Sequence, residues 1–132
     1  MRKRLSRFLS FGLVLLGVIP VLAASLPPQS TTVSGVTITA TPLALTGDRW
    51  VFEIVLETHS GDLGDDLAKT ATLSADNSTA IAPLDWRGDP PGGHHRKGVL
   101  EFTAAKPAPA NIELRIERKS EPMPRIFRWQ LP

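Results

Sequence analysis

Residues 50–57, WVFEIVLE, decide the fold. Successive side chains of an extended chain point to opposite sides, so Trp50, Phe52, Ile54 and Leu56 share one face and Val51, Glu53, Val55 and Glu57 the other. Eight residues of this alternation, rich in aromatic and β-branched side chains, predict a strand at the centre of a sheet. Upstream, Val36, Ile38 and Ala40 alternate with Thr37, Thr39 and Thr41 until Pro42 ends or bends the strand. Downstream, Leu100 and Phe102 alternate with Glu101 and Thr103, and Ile112, Leu114 and Ile116 with Glu113, Arg115 and Glu117. Both patterns predict half-buried strands with one wet face. Phe127, Trp129 and Leu131 alternate in the same way at the end of the chain.

Weaker strands are expected at 68–74 and 80–86, joined by the turn-forming pair Asp76-Asn77, with Pro83 confining the second to a sheet edge. The segment 60–67 (SGDLGDDL) predicts one helical turn capped by Ser60 or Asp62. Seven short strands at spacings of about ten residues, with no helix of ordinary length, predict an all-β protein. Its expected architecture is an antiparallel two-sheet sandwich of immunoglobulin-like type. The chain has no Tyr and no Cys, so neither a tyrosine corner nor an inter-sheet disulfide can support it.

Residues 1–23 read as an export signal. Arg2, Lys3, Arg4 and Arg7 form a basic start, residues 8–19 (FLSFGLVLLGVI) an apolar core, and Val21-Leu22-Ala23-Ala24 offers small residues for cleavage after Ala23 or Ala24. The apolar run is shorter than the roughly 20 residues of a spanning helix and Pro20 interrupts it, which favours cleavage over a retained anchor and leaves no membrane span in the mature chain. No Cys follows the run, so lipid attachment through an N-terminal cysteine is excluded. Residues 24–34 (ASLPPQSTTVS), rich in Pro, Ser and Thr without periodicity, read as an extended lead-in to a sandwich over 35–132.

The whole-chain pI of about 9.4 comes from this leader. Four of the fifteen Lys and Arg residues lie in it and all thirteen acidic residues lie beyond it, so the mature chain carries a formal charge of about −2. A nucleic-acid partner therefore has no electrostatic support. About 108 residues suffice for one hydrophobic core, which must hold an exported protein together without disulfides.

The chemistry rests on three histidines. His59 ends the central strand, and His94 and His95 stand in GGHHR at 92–96, just before a later strand. If those strand ends share a side, the imidazoles form one rim, and a His-rich rim without thiolates suits copper or zinc, with Asp62, or else Asp65 or Asp66, as an oxygen ligand. Adjacent histidines on a regular strand point to opposite faces, so one of His94 and His95 is expected to turn towards His59 unless Gly92 and Gly93 bend the chain. The competing structural reading has the imidazoles bracing loops, for example His59 against Asp85 or Asp89, with the prolines and glycines of 90–93 explaining the turn. The spacing of Asp62, Asp65 and Asp66 does not match a calcium loop.

Trp50 and Trp129 lie in the apolar series of their strands, whereas Trp86 stands next to a loop; Trp86 and Arg96 are the candidate contacts of a binding surface. Arg87-Gly88-Asp89 is a chance-level tripeptide, and Asn77-Ser78-Thr79 fits a glycosylation acceptor at a hairpin tip. There is no cysteine nucleophile, no G-x-S-x-G elbow and no H-E-x-x-H helix, so an enzyme is not expected.

The set T-H-S-x-x-L-x-x-D-L at 58–67, P-L-D-W at 83–86, G-G-H-H-R-x-G-V-L-x-F at 92–102 and R-I-F-R-W-Q-L at 125–131 resembles small exported bacterial and archaeal proteins of unassigned function. The resemblance spans almost the whole mature chain. It implies an envelope β-sandwich, carries over no catalytic residue, and groups the THS and GGHHR segments at a shared rim. The expectation is an exported, non-enzymatic β-sandwich, periplasmic or extracellular, that binds copper or zinc through His59, His94, His95 and Asp62. The alternative is a module for an envelope protein partner or other envelope component in which the histidines are structural.

Overall fold

A computed structural model describes residues 25–132; the export signal read at 1–23 lies outside the described residues. Eight strands and one short helix follow in order: β1 (Gln29–Val33), β2 (Val36–Ala44), β3 (Arg49–Thr58), α1 (Leu67–Thr70), β4 (Ala71–Ala75), β5 (Asp85–Gly88), β6 (His95–Thr103), β7 (Asn111–Ile116) and β8 (Arg125–Gln130). They form two antiparallel sheets, β1-β2-β3-β6-β5 and β4-β7-β8, with β3 at the centre of the larger one. Apart from β1, the order β2-β3-β6-β5 against β4-β7-β8 is the ABED and CFG arrangement of an immunoglobulin constant-type domain.

The alternation seen in the sequence fills the space between the sheets. Trp50, Phe52, Ile54 and Leu56 of β3 are all buried, facing Leu114, Phe127 and Trp129 from the smaller sheet within one apolar cluster. Phe52 lies at its centre, edge-on to Phe102 with ring centroids 5.8 Å apart and 5.8 Å from Trp129. Leu63, from the chain leading into α1, and Leu67, its first residue, plug one end of the cluster.

Three local expectations are corrected. The lead-in at 24–34 contains β1, which pairs with β2 from Gln29↔Ala40 to Val33↔Val36. Its cross-strand contacts are hydroxyl to hydroxyl, Ser30 to Thr39 at 2.6 Å and Thr32 to Thr37 at 2.8 Å, so no apolar period marks it. The helical turn falls at α1, which shares only Leu67 and its N-cap Asp66 with the segment 60–67, and Asp66 makes no side-chain cap bond. The strand expected at 80–86 is divided: Ile81 makes a single bridge to Leu73 in one sheet, and β5 joins the edge of the other. Pro83 stands in the crossing, and Asp76 and Asn77 turn the chain before it with φ of 48° and 59°.

Gln29 closes one flank of the sandwich. Its side-chain amide donates to the Arg128 carbonyl of β8 and accepts the Arg128 N–H at 3.2 Å, while Arg125 donates to the Thr31 carbonyl at 2.8 Å. The outer edges of β1 and β8 are thereby joined through side chains.

The end of the sandwich where β3 finishes and β2, β6 and β8 begin is held by three buried arginines. Arg96 donates to the carbonyls of Leu63 (3.2 Å), Asp65 (2.5 Å) and Asp89 (3.1 Å). Arg118 pairs with Asp65 at 2.8 Å and Glu121 at 3.1 Å, and also donates to the Asp62 carbonyl. Arg125 binds Glu121 in two bonds of 2.6 and 2.7 Å and reaches the carbonyls of Thr31, Val33 and Val36. Glu121, with a side chain 2% exposed, thus bridges two buried cations.

Thr58 ties the same end together. Its buried hydroxyl donates to the Gly35 carbonyl at 3.1 Å and accepts the N–H groups of Ser60 and Gly61 at 3.3 and 2.7 Å. A Cβ on Gly61 would lie 2.8 Å from that hydroxyl and 2.9 Å from Val36, so the close turn requires glycine. Thr58→Val keeps the shape and removes every one of these bonds. It is expected to cost about 1–3 kcal/mol in urea unfolding, because two N–H groups and a carbonyl lose their partner. A loss below a few tenths of a kcal/mol would show that water replaces the hydroxyl.

Candidate functional site

The three histidines meet at that end. His59 follows the last residue of β3, His95 opens β6, and the Thr58 N–H donates to the His94 carbonyl at 2.9 Å, which fixes the two loops side by side. Glu57 and His95 are direct cross-strand partners, with Oε1 and Nε2 3.8 Å apart. Together, Gly35, Thr37, Glu57, Thr58, His59, His94 and His95 line a shallow depression of about 300 Å³. Gly92 and Gly93, at φ of 112° and 73°, bend the chain just before the histidines. Both His94 and His95 are exposed, rather than one exposed and one turned in.

The imidazoles do not brace the loops. Among the described residues, neither His59 nor His94 takes part in a side-chain hydrogen bond or ion pair, and His95 has only Glu57, across an exposed pair. Asp89, considered as a partner for His59, instead accepts the Lys97 N–H at 2.9 Å through Oδ2, while its carbonyl receives Trp86 and Arg96. Main-chain bonds and the Thr58 hydroxyl perform the bracing. The histidines are left free at the surface.

Asp62 does not belong with them. It lines a separate depression with Gly64, Asp65, Asp66, Glu117 and Arg118, because the chain after Thr58 turns under the sandwich towards α1. Glu57 is the carboxylate that the fold places beside the imidazoles. The sequence carried this signal, since Glu57 precedes His59 by two residues and therefore shares its face in an extended chain. Among the described residues, no three His, Asp or Glu side chains are set together so as to hold a metal ion. Binding at the rim thus requires exposed side chains to rotate inward.

Trp86 and Arg96 form a contact with each other and not a binding face. Arg96 is 1% exposed, and its guanidinium carbon lies 5.1 Å from the centre of the Trp86 ring, which is half-buried and donates to the Asp89 carbonyl at 3.0 Å. The physical reason is parity: Arg96 lies on the same side of β6 as Leu100 and Phe102, so it points inward. Burial lowers the Arg96 pKa, an effect that the carboxylates of Asp65, Asp66 and Asp89 offset only in part.

The RGD tripeptide is absorbed by the sheet. Arg87 pairs with Asp85 and Glu101, Gly88 sits against Gly98, and Asp89 is bonded as above. Asn77 is exposed at the turn after β4. No family model matches the chain, and neither a curated protein nor a solved structure matches it.

Proposed function

We propose that this chain is an exported, non-enzymatic β-sandwich of the cell envelope that binds a divalent transition metal, copper or zinc, at the histidine rim. The observation that carries this reading is the placement of His59, His94 and His95 around one depression with their imidazoles unspent on the fold. Glu57 takes the oxygen-donor role that the sequence suggested for Asp62. Imidazole and carboxylate donors on an open rim suit Cu(II) or Zn(II) and leave coordination positions for water. Because the donors must be drawn together on binding, the rim is suited to an exchangeable ion more than to a structural one.

The expected result is uptake of about one Cu(II) or Zn(II) per chain in isothermal titration of the parent protein. His59→Ala, His94→Ala and His95→Ala should each weaken uptake by more than the roughly 10- to 100-fold that loss of a mere supporting partner costs. Absence of uptake by the parent, or unchanged uptake in all three variants, would overturn the reading. The second reading, an envelope-component module, draws on an apolar groove at the opposite end.

A further inference from the structure

Opposite the histidine rim, an apolar groove of about 470 Å³ opens between the end of β2 and the close of the chain. Leu26, Leu43, Leu45, Pro109 and Leu131 line it. Leu26, Leu45 and Leu131 pack on the core only in part, and Leu43 is 54% exposed. Ser25, the first described residue, is also in the wall, so the chain enters the domain at the groove itself. Among the described residues, no acidic side chain lines the groove, and at this end Asp48 is paired with Lys106 at 2.5 Å and Arg49 with Glu101.

Before Ser25 the chain carries the four basic residues Arg2, Lys3, Arg4 and Arg7 and then the twelve-residue apolar run at 8–19. Only residues 20–24 connect that run to the groove, a reach of at most about 18 Å. A run of twelve is short of the roughly 20 residues that span a bilayer. Attachment of an apolar segment at a membrane interface strengthens with the apolar area buried and with attraction to anionic lipids, so a second apolar contact adds to the first. Basic residues supply attraction to anionic headgroups. An apolar groove tethered within a few residues of the segment supplies further contact at high effective concentration.

We propose that the chain works with its leader retained, seated groove-down on an anionic bilayer with Leu43 in the lipid interface. The histidine rim then points away from the membrane by the length of β3, ten residues or about 33 Å. This differs from the cleavage that Ala23 and Ala24 favour, and it stands independently of the metal reading.

The chain has no Cys, so single labels are clean. Full-length Leu43→Cys and Ser60→Cys, each carrying an environment-sensitive fluorophore, are mixed with vesicles of phosphatidylcholine and phosphatidylglycerol. The label at position 43 should shift to the blue and be quenched by spin-labelled lipid, while that at position 60, on the rim, should do neither. In flotation, Leu43→Asp should lower vesicle affinity roughly tenfold or more, the effect of one leucine side chain kept in water. Vesicle binding with label 43 still in water would show a tether alone and overturn the proposal. So would insertion of label 60, full binding by Leu43→Asp, or failure of the parent to float.

Discussion

Glu121→Gln is expected to destabilise the domain by about 3–5 kcal/mol in denaturant unfolding at neutral pH, the range found when one partner of a buried ion pair is removed. Glu121 accepts two bonds from Arg125 and one from Arg118, and the side chains of all three are almost wholly buried. Arg118 retains Asp65 in the variant, but Arg125 is left with hydroxyl and carbonyl acceptors and no formal counter-charge. A glutamine fills the same volume, so the change isolates charge from packing.

The same residue has a pH signature. The hydrogen bond from Arg125, aided by Arg118, holds the Glu121 carboxyl below the usual carboxylate range against the opposing effect of burial. Its folded pKa is therefore lower than its unfolded value of about 4.3. The stability it contributes is present above that unfolded value and is lost as pH falls through the folded one. The parent should thus lose stability steeply below about pH 4, and Glu121→Gln should show a shallower acid limb. Some slope should remain, because hydrogen bonding to Arg115 and Arg128 also lowers the Glu113 pKa. A cost under about 1 kcal/mol, or an unchanged acid limb, would show that Glu121 does not hold this end of the fold.

Arg96→Ala is expected to cost about 3 kcal/mol or more, with the denaturation midpoint lowered and the slope unchanged. The substitution leaves the Asp65 carbonyl without a donor, leaves the Leu63 carbonyl with the Gly92 N–H alone and the Asp89 carbonyl with the Trp86 N–H alone, and removes the cation packed on Trp86. Arg96→Lys should recover less than half of the loss, since a single ammonium cannot reach carbonyls spread around a planar fork. Full recovery by lysine would indicate that charge alone matters at this position. Near-parental stability of Arg96→Ala would return the residue to the surface role that its place beside the histidines suggested.

These arginines mark where the sequence was readable and where it was not. The apolar alternation in β2, β3, β6, β7 and β8 located the core because burial follows the two-residue period of a strand. Arg118 and Arg125 continue the inward side of that period one step beyond the apolar positions of β7 and β8, and Arg96 continues it two steps beyond Leu100, past Gly98, at the same end of the sandwich. Charge argued for the surface and parity for the interior, and parity prevailed because carbonyls and two carboxylates were there to receive them. The shared histidine rim was legible from strand ends and spacing. Asp62 stands apart, since the close turn at Gly61 that carries it away is packed against Val36 of β2 as well as Thr58, and the Val36 contact is one that no local pattern encodes. β1 was hidden because its partners are hydroxyls and a neighbouring sheet.

The amide of Gln29, locked onto the backbone of Arg128, bears on aggregation. Exposed strand edges are templates for pairing with other chains, and two-sheet sandwiches expose them in pairs. Here one flank is sealed by side chains that mimic a missing ladder rung, whereas the other ends in the four-residue β5 and in β4, covered by one bridge at Ile81. Unwanted self-association in a crowded compartment would start from that second flank. A charge placed at Ala82 or Leu84, on either side of Pro83, would guard it, without disturbing either end of the molecule.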